Sequence, residues 1–157
     1  NIGYNKGNST VIILDNRITG MTGHQDNPTT GRTLKGEEVP QVSIEAVCRA
    51  AGIRRVRVVD PYDTVQVETA LKEELASPEP SVIISRRPCV LLKSVPKKAP
   101  LAVDREQCRS CKACFKIGCP SIHMEDSKAS IDPTLCVGCG LCASLCPFHA
   151  IGAQEVR

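Results

Sequence analysis

The sequence predicts an α/β segment with a parallel sheet, followed by a small α+β domain organised by cysteine rather than by apolar volume. Three observations carry this. Apolar, β-branched runs alternate with helical-period segments up to about residue 93, and strands separated by helices imply βαβ units and a parallel sheet. Eight of the ten cysteines crowd into residues 108–146. Those eight fall into two copies of one pattern, offset by 28 residues.

The elements follow in order. "TVIILDN" (10–16) is apolar and β-branched and predicts a buried strand. "VSIEAVCRAAG" (42–52) sets Ile44, Val47, Cys48 and Ala51 at helical spacing and stops at Gly52. "VRVVDP" (56–61) is a second strand. "TVQVETALKEELAS" (64–77) aligns Val67, Ala70, Leu71 and Leu75 on one helical face, with Thr64 as its cap. "SVIISRRPC" (81–89) is a third strand, broken at Pro88. Three strands and two helices are few for a doubly wound domain, so residues 1–93 read as the second half of a larger α/β domain. The start at Asn1 in "NIGYNKGNSTVIILDN" reads like the middle of a fold, so an upstream segment or companion chain is expected. "SVPKKAP" (94–100) has the proline and charge of a linker, and residues 101–157 form the cysteine-rich domain.

Composition narrows the function. Hydrophobic residues make up 41% of the chain but aromatics only 3%, with no Trp. A net charge of +3 without aromatic interleaving argues against nucleic-acid binding. The apolar runs are too short to span a membrane, and no signal peptide is visible. Cysteines gathered in one stretch suit a cofactor in a reducing, cytoplasmic compartment better than a scattered disulfide framework.

"LAVDREQCRSCKAC" and "ASIDPTLCVGCGLC" each place an Asp four residues before the first Cys. The first copy runs Cys108, Cys111, Cys114, Cys119-Pro120; the second runs Cys136, Cys139, Cys142, Cys146-Pro147. C-x2-C-x2-C turns three thiolates towards separate corners of a cubane cluster, and the cysteine before Pro ligates the other cluster in two-cluster ferredoxins. Cys108, Cys111, Cys114 and Cys146 are therefore expected to hold one [4Fe–4S] cluster, and Cys136, Cys139, Cys142 and Cys119 a second. Ala113, Gly138, Gly140 and Ala143 leave backbone N–H groups free to approach the sulfurs. Structural zinc also takes four thiolates, but it needs neither a third cysteine in each triplet nor the exchanged Cys-Pro partner. The first copy has one extra residue before Cys119, in "CFKIGC". Cys48 reads as a buried helix residue and Cys89 as structural or a neighbour of a cofactor. His123 and His149 read as surface or supporting groups. Lys97, Lys98, Lys112 and Lys116 are either a solvated face or a steering patch for an acidic electron partner.

The remaining motif is the loop "LDNRITGMTGHQDNP" (14–28), at the carboxyl end of a strand, where α/β sheets bind ligands. Asn16 offers a side-chain oxygen suited to Mg²⁺, and the Ile18 carbonyl a second. Thr19, Thr22 and the backbone around Gly20 and Gly23 could donate to a diphosphate. His24, Gln25, Asp26 and Asn27 read equally well as ordinary loop residues.

"ILDNRITGMTGHQDNP", "VIISRRPC" and the appended double cysteine cluster together resemble the C-terminal part of the large subunit of the indolepyruvate ferredoxin oxidoreductases, over essentially the whole chain. The resemblance implies a partial thiamine-diphosphate-binding fold followed by a 2[4Fe–4S] ferredoxin-type domain. It implies Asn16 and Ile18 as Mg²⁺ ligands, Thr22 and Gly23 beside the diphosphate, and Met21 near the thiazolium. The Gly-Asp-Gly half of the cofactor site is absent from this sequence. No catalytic residue is assigned, and this chain alone is expected to be an incomplete catalytic unit.

The implied reaction is oxidative decarboxylation of an arylpyruvate to an acyl-coenzyme A and carbon dioxide. Its electrons pass through two clusters to an external ferredoxin. Two other readings remain: a non-catalytic electron-transfer subunit of a larger complex, and a related enzyme for pyruvate or another 2-oxoacid.

Overall fold

The computed structural model describes residues 1–153. They divide into two compact units, Asn1–Val95 and Pro96–Arg157. Among the described residues no helix is long and apolar enough to cross a membrane.

The first unit is a three-stranded parallel sheet in the order β1-β3-β2: β1 is Thr10–Asp15, β2 Arg55–Val59 and β3 Ser81–Arg86. Helices α1 (Ile44–Ala50) and α2 (Thr64–Leu75) cover opposite faces. Alternation along the central strand explains this division. Val82 and Ile84 pack with Cys48, Ile53, Ile13, Ile44 and Val56 on the α1 side. Ile83 packs with Val59, Ala70, Val67 and Leu71 on the α2 side.

Three details depart from the sequence reading. Strand β1 is not fully buried: Ile12 and Leu14 are 50% and 78% exposed. Among the described residues it is an edge strand paired with β3 alone, and α2 packs over β2 and β3. Helix α2 is capped by the Asp63 side chain, which accepts the Gln66 N–H; Thr64 is already helical. Leu75 is exposed and Glu74 takes the inward place. On α1, Ser43 caps through Ala46 N–H and Cys48 is buried as expected, whereas Val47 is exposed.

Glu74 is inside because it locks the amino ends of all three strands. Thr10, Ser81 and Arg55 lie side by side in register. The Glu74 carboxylate takes two bonds from Arg55, at 2.8 and 3.1 Å, and pairs with Arg57 Nε at 2.6 Å. Its backbone carbonyl accepts from the Thr10 hydroxyl, which in turn accepts from Ser81. Burial pushes the Glu74 carboxyl up, but hydrogen bonds and charge from Arg55 and Arg57 outweigh it and hold the group below the ordinary range.

The second unit is two antiparallel pairs. β4 (Leu101–Val103) pairs with β7 (Ile151–Ala153), and β5 (Ile122–Glu125) with β6 (Lys128–Ile131). Asp126 and Ser127, both at positive φ, join β5 to β6 as a two-residue hairpin turn. A 3-10 turn at Ala113–Ile117 and a short helix α3 (Leu141–Ser144) carry the ends of the two triplets. The core mixes sulfur with small apolar groups: Cys108, Cys114 and Cys142 are buried with Ile122, Ala129, Ile131, Ala150 and Ile151.

Glu74→Ala should cost about 2 kcal/mol, the scale of lost charge-assisted bonds whose arginine partners can still reach water. Chemical denaturation of the protein would read this as a lower midpoint. Glu73→Ala, on the exposed face, should stay within about 0.5 kcal/mol.

Candidate functional site

Two sites emerge, one in each unit. In the first, β1 ends at Asp15 and the chain turns outward through two successive side-chain-capped turns. Asp15 Oδ1 accepts the Arg17 N–H at 3.2 Å, and Asn16 Oδ1 accepts the Ile18 N–H at 3.1 Å. Arg17 adopts a positive φ of 59° to make this possible. Beyond it, Thr19 and Gln25 exchange backbone hydrogen bonds of 3.0 and 3.1 Å and close the loop at its neck.

The sequence-predicted oxygen donors are therefore held in one turn. An amide oxygen has two acceptor positions, so Asn16 Oδ1 keeps one for a cation after bonding Ile18. The Ile18 carbonyl accepts no hydrogen bond among the described residues, while its side chain is buried. This donor chemistry fits a hard divalent cation. Met21 stands 98% exposed at the tip. Two predicted diphosphate donors are committed inside the loop: the Gly23 N–H donates to Gly20 O at 3.2 Å, and the Thr22 hydroxyl to Gln25 Oε1 at 2.8 Å.

What the sequence did not reveal is the ionic base of this loop. Asp15 is buried, its side chain 3% exposed, and Arg86 Nε bonds its Oδ2 at 2.7 Å. The same guanidinium forks onto Glu45, with bonds of 2.8 and 2.7 Å. Hydrogen bonds from Arg86 pull the Glu45 carboxyl down to about 2, and Arg86 itself is held above its ordinary value. The backbone adds Arg87 N–H to Asp15 O and Cys89 N–H to Asn16 O, both at 3.0 Å. Cys89 thus lies beside the loop by its backbone.

In the second unit, strand pairing decides which sulfurs meet. β4 leads into the first triplet, and its partner β7 follows the Cys146-Pro147 corner; the Asp104 N–H donates to Ala150 O at 2.8 Å. β6 leads into the second triplet, and its partner β5 follows Cys119-Pro120; the Asp132 N–H donates to Ser121 O at 2.8 Å. Each triplet is thus set beside the Cys-Pro corner of the other copy. One cavity is lined by Cys108, Cys111, Cys114 and Cys146, with Phe115 and Phe148 on its walls.

The repeated Asp has a local job. Its carbonyl accepts the N–H of the first cysteine four residues on, Cys108 at 3.0 Å and Cys136 at 3.1 Å. Its carboxylate takes the intervening N–H groups, from Glu106 and Gln107 onto Asp104 and from Thr134 onto Asp132. Gly138, at φ 65°, admits no side chain: a Cβ there would sit 2.4 Å from Ala99 O.

The sulfurs are surrounded by donors. N–H groups of Ala129 and Ser110, with the charges of Lys128 and Arg105, lower the Cys108 thiol. Leu101 N–H reaches Cys136 Sγ and Ala150 N–H reaches Cys146 Sγ, each at 3.4 Å. The buried Ser121 hydroxyl lies 3.0 Å from Cys119 Sγ. Of the small residues predicted to donate, Ala143 is among the causes acting on Cys142; Ser110 lies within the first triplet, Ser121 and Ala150 follow the Cys-Pro corners, and Leu101 and Ala129 come from other parts of the fold. Burial, then the charges of Cys111, Cys146 and Cys108, push the Cys114 thiol up; burial and Cys139 push Cys142 to about 11. Thiols crowded together in a low dielectric fit a positively charged centre that takes them as thiolates. They are not drawn onto one point: among the described residues no three His, Cys, Asp or Glu side chains could hold a single metal ion.

Comparison with known proteins gives a family match in each unit. Residues 1–85 match the family described as thiamine pyrophosphate enzyme, C-terminal TPP binding domain. Residues 129–152 match the 4Fe-4S binding domain. The chain is 42% identical to the indolepyruvate oxidoreductase subunit IorA of Pyrococcus horikoshii over 98% of its own length and 25% of that protein's. It is 38% identical to the same-named subunit of Methanothermobacter marburgensis, again over 98% of this chain and 25% of that protein. The chain thus spans about a quarter of the length of these relatives.

The depressed Glu45 carboxyl predicts how the loop base responds to acid. Its stabilisation is complete above the unfolded value near 4.5 and is lost as pH falls through about 2. Hydrogen exchange at Arg17 and Ile18 should keep its protection at pH 5 and lose it towards pH 2. Glu45→Gln should flatten that dependence.

Proposed function

The chain belongs to the thiamine pyrophosphate enzyme family, whose C-terminal cofactor-binding domain it carries together with a 4Fe-4S binding domain, and from that premise we propose that it is the C-terminal part of a 2-oxoacid:ferredoxin oxidoreductase acting on indolepyruvate or another arylpyruvate. The observation that carries this reading is the covalent union, in one chain, of a thiamine-diphosphate loop and two cysteine triplets with exchanged Cys-Pro corners. The names of the relatives favour an arylpyruvate substrate.

When bound, thiamine diphosphate supplies the electron sink for decarboxylation, and [4Fe–4S] clusters supply one-electron acceptors. Overall, a 2-oxoacid anion and coenzyme A give acyl-coenzyme A, carbon dioxide, a proton and two electrons, one electron for each of two clusters. Asn16 Oδ1 and the Ile18 carbonyl hold Mg²⁺ against the diphosphate. Thr22 and Gly23 would border the diphosphate, and Met21 would lie near the ring. Cys108, Cys111, Cys114 and Cys146 hold one cluster; Cys136, Cys139, Cys142 and Cys119 hold the other. Donors to Cys108, Cys136, Cys146 and Cys119 from N–H and O–H groups stabilise the reduced, more negative state.

The rest of the cofactor site comes from upstream sequence or companion chains, and an external ferredoxin takes the electrons in a reducing cytoplasm. Residues 1–93, 94–100 and 101–157 are the cofactor segment, linker and cluster domain.

The test is anaerobic. The chain, assembled with its natural partners, receives Mg²⁺, thiamine diphosphate, coenzyme A and indolepyruvate while cluster absorbance is followed. Bleaching that requires both the 2-oxoacid and thiamine diphosphate is expected. Clusters that dithionite reduces but no 2-oxoacid does would favour a purely electron-transferring subunit. Asn16→Ala should weaken Mg²⁺-dependent cofactor binding by about tenfold or more while leaving iron content unchanged. Cys119→Ala should damage the cluster of the second triplet, with electron paramagnetic resonance still showing that of the first.

A further inference from the structure

The turn proposed to ligate Mg²⁺ is joined to the chain leaving β3 by two backbone bonds, Arg87 N–H to Asp15 O and Cys89 N–H to Asn16 O, and its side-chain direction is set by an ion pair. β1 is an edge strand, and Leu14, one residue before Asp15, faces outward and is exposed. Orientation at this point comes from the next strand. Arg86 is the last residue of β3 and the register partner of Asp15. Its Nε bonds Asp15 Oδ2 at 2.7 Å, an oxygen that Arg17 Nε also approaches at 3.5 Å, and Oδ1 accepts the Arg17 N–H. That bond holds Arg17 at positive φ, and the following turn places Asn16 Oδ1 against Ile18 N. Arg17 Nη1 adds bonds to Thr29 O at 2.9 Å and Gln41 Oε1 at 3.3 Å, which secure the far side.

Glu45 completes the arrangement. It lies in the first turn of α1 and takes one bond from each terminal nitrogen of Arg86, while the Nε–H donates to Asp15. A guanidinium offers this division because its donors form a rigid planar fork; an ammonium has no fixed directions.

We propose that Arg86 is a positioning residue for the metal-diphosphate end of the cofactor, with Glu45 holding Arg86 in the orientation that aims Asp15 at the Asn16–Ile18 turn. It touches neither cation nor diphosphate. Its effect is to set the direction of the two oxygens that do, so that removing it spreads the turn over several conformations while leaving its donors present. Groups that orient metal ligands are worth about 10–100-fold in metal affinity, and that is the expected scale here. The proposal rests on the reading of the 16–23 loop as the cofactor loop.

The test uses the complete oxidoreductase with its partners and Mn²⁺ as a spectroscopically visible cation. Bound Mn²⁺ is measured by electron paramagnetic resonance with and without thiamine diphosphate, in wild type, Arg86→Gln, Arg86→Lys and Glu45→Gln. Arg86→Gln should weaken cofactor-dependent Mn²⁺ binding at least tenfold. Arg86→Lys should recover part of the loss, and Glu45→Gln should cost a few-fold. In all of them the dithionite-reduced cluster spectrum should be that of wild type.

A Mn²⁺ affinity within twofold of wild type in Arg86→Gln and Glu45→Gln, whatever happens to thermal stability, would overturn the positioning role and leave a purely structural ion pair. If Arg86→Gln fails to assemble, Arg86→Lys and Glu45→Gln carry the same comparison, and unchanged affinity in both again overturns it. Failure of wild type to bind Mn²⁺ with thiamine diphosphate would instead overturn the loop reading, and the positioning role with it.

Discussion

Two buried carboxylates, each held by arginine, close the two ends of the parallel sheet. Glu74 ties the amino ends of β1, β2 and β3 through Arg55, Thr10 and Ser81. Asp15 ties the carboxyl end of β1 to that of β3 through Arg86. Between them lie few large side chains; Ile83 and Ile84 of the central strand are the most deeply buried. A sheet this narrow holds strand register by polar pairing at its margins as much as by apolar area. A buried pair of this kind contributes little net stability against a hydrophobic replacement, yet losing one partner is expensive. Its value here is geometric, since it specifies which strand ends meet.

The two ends differ in what they leave free. At Glu74 the acceptors are used by strand-end donors, and the result is closed. At Asp15 the carboxylate spends one oxygen on the sheet and the other on the loop, so the sheet's order is passed into a segment without regular structure. Ligands in open α/β folds collect at this end because the loops leave there; the Arg86–Asp15 pair is the means by which one such loop acquires a defined shape.

The cysteine-rich unit meets a different constraint. Its strands are three or four residues long, too short to specify a fold by hydrophobic burial alone. The pairing of β4 with β7 and of β5 with β6 exchanges the ends of the two repeats, so that each triplet lies beside the Cys-Pro corner of the other copy. Neither copy could make the arrangement alone. Crowded thiols, two of them raised by burial and by one another's charge, stay protonated unless a positively charged centre takes them as thiolates. That is the sense in which the unit is built for a centre it does not itself supply.

Much of this was written in one dimension. The β-branched runs, the helical spacing around Cys48 and Ala70, the breaks at Gly52 and Pro88 and the repeated cysteine pattern are all local regularities, and each element stands where its own residues put it. The loop motif could be read for the same reason: Asn16 and Ile18 belong to one turn. The exposure of β1, the inward place of Glu74 and the donors Leu101 and Ala129 around the sulfurs could not, because burial and hydrogen bonding depend on what another strand brings alongside. The Arg86–Asp15 contact joins residues 71 apart in sequence, and Glu45 reaches the same guanidinium from 41 away. An arginine two residues before a proline, an aspartate before an asparagine and a glutamate opening a helix carry no joint signal until parallel pairing sets Asp15 against Arg86. The sequence by itself determined the elements and the ligand types; the tertiary structure decided which charges face one another, because a long-range ion pair has no period and no motif.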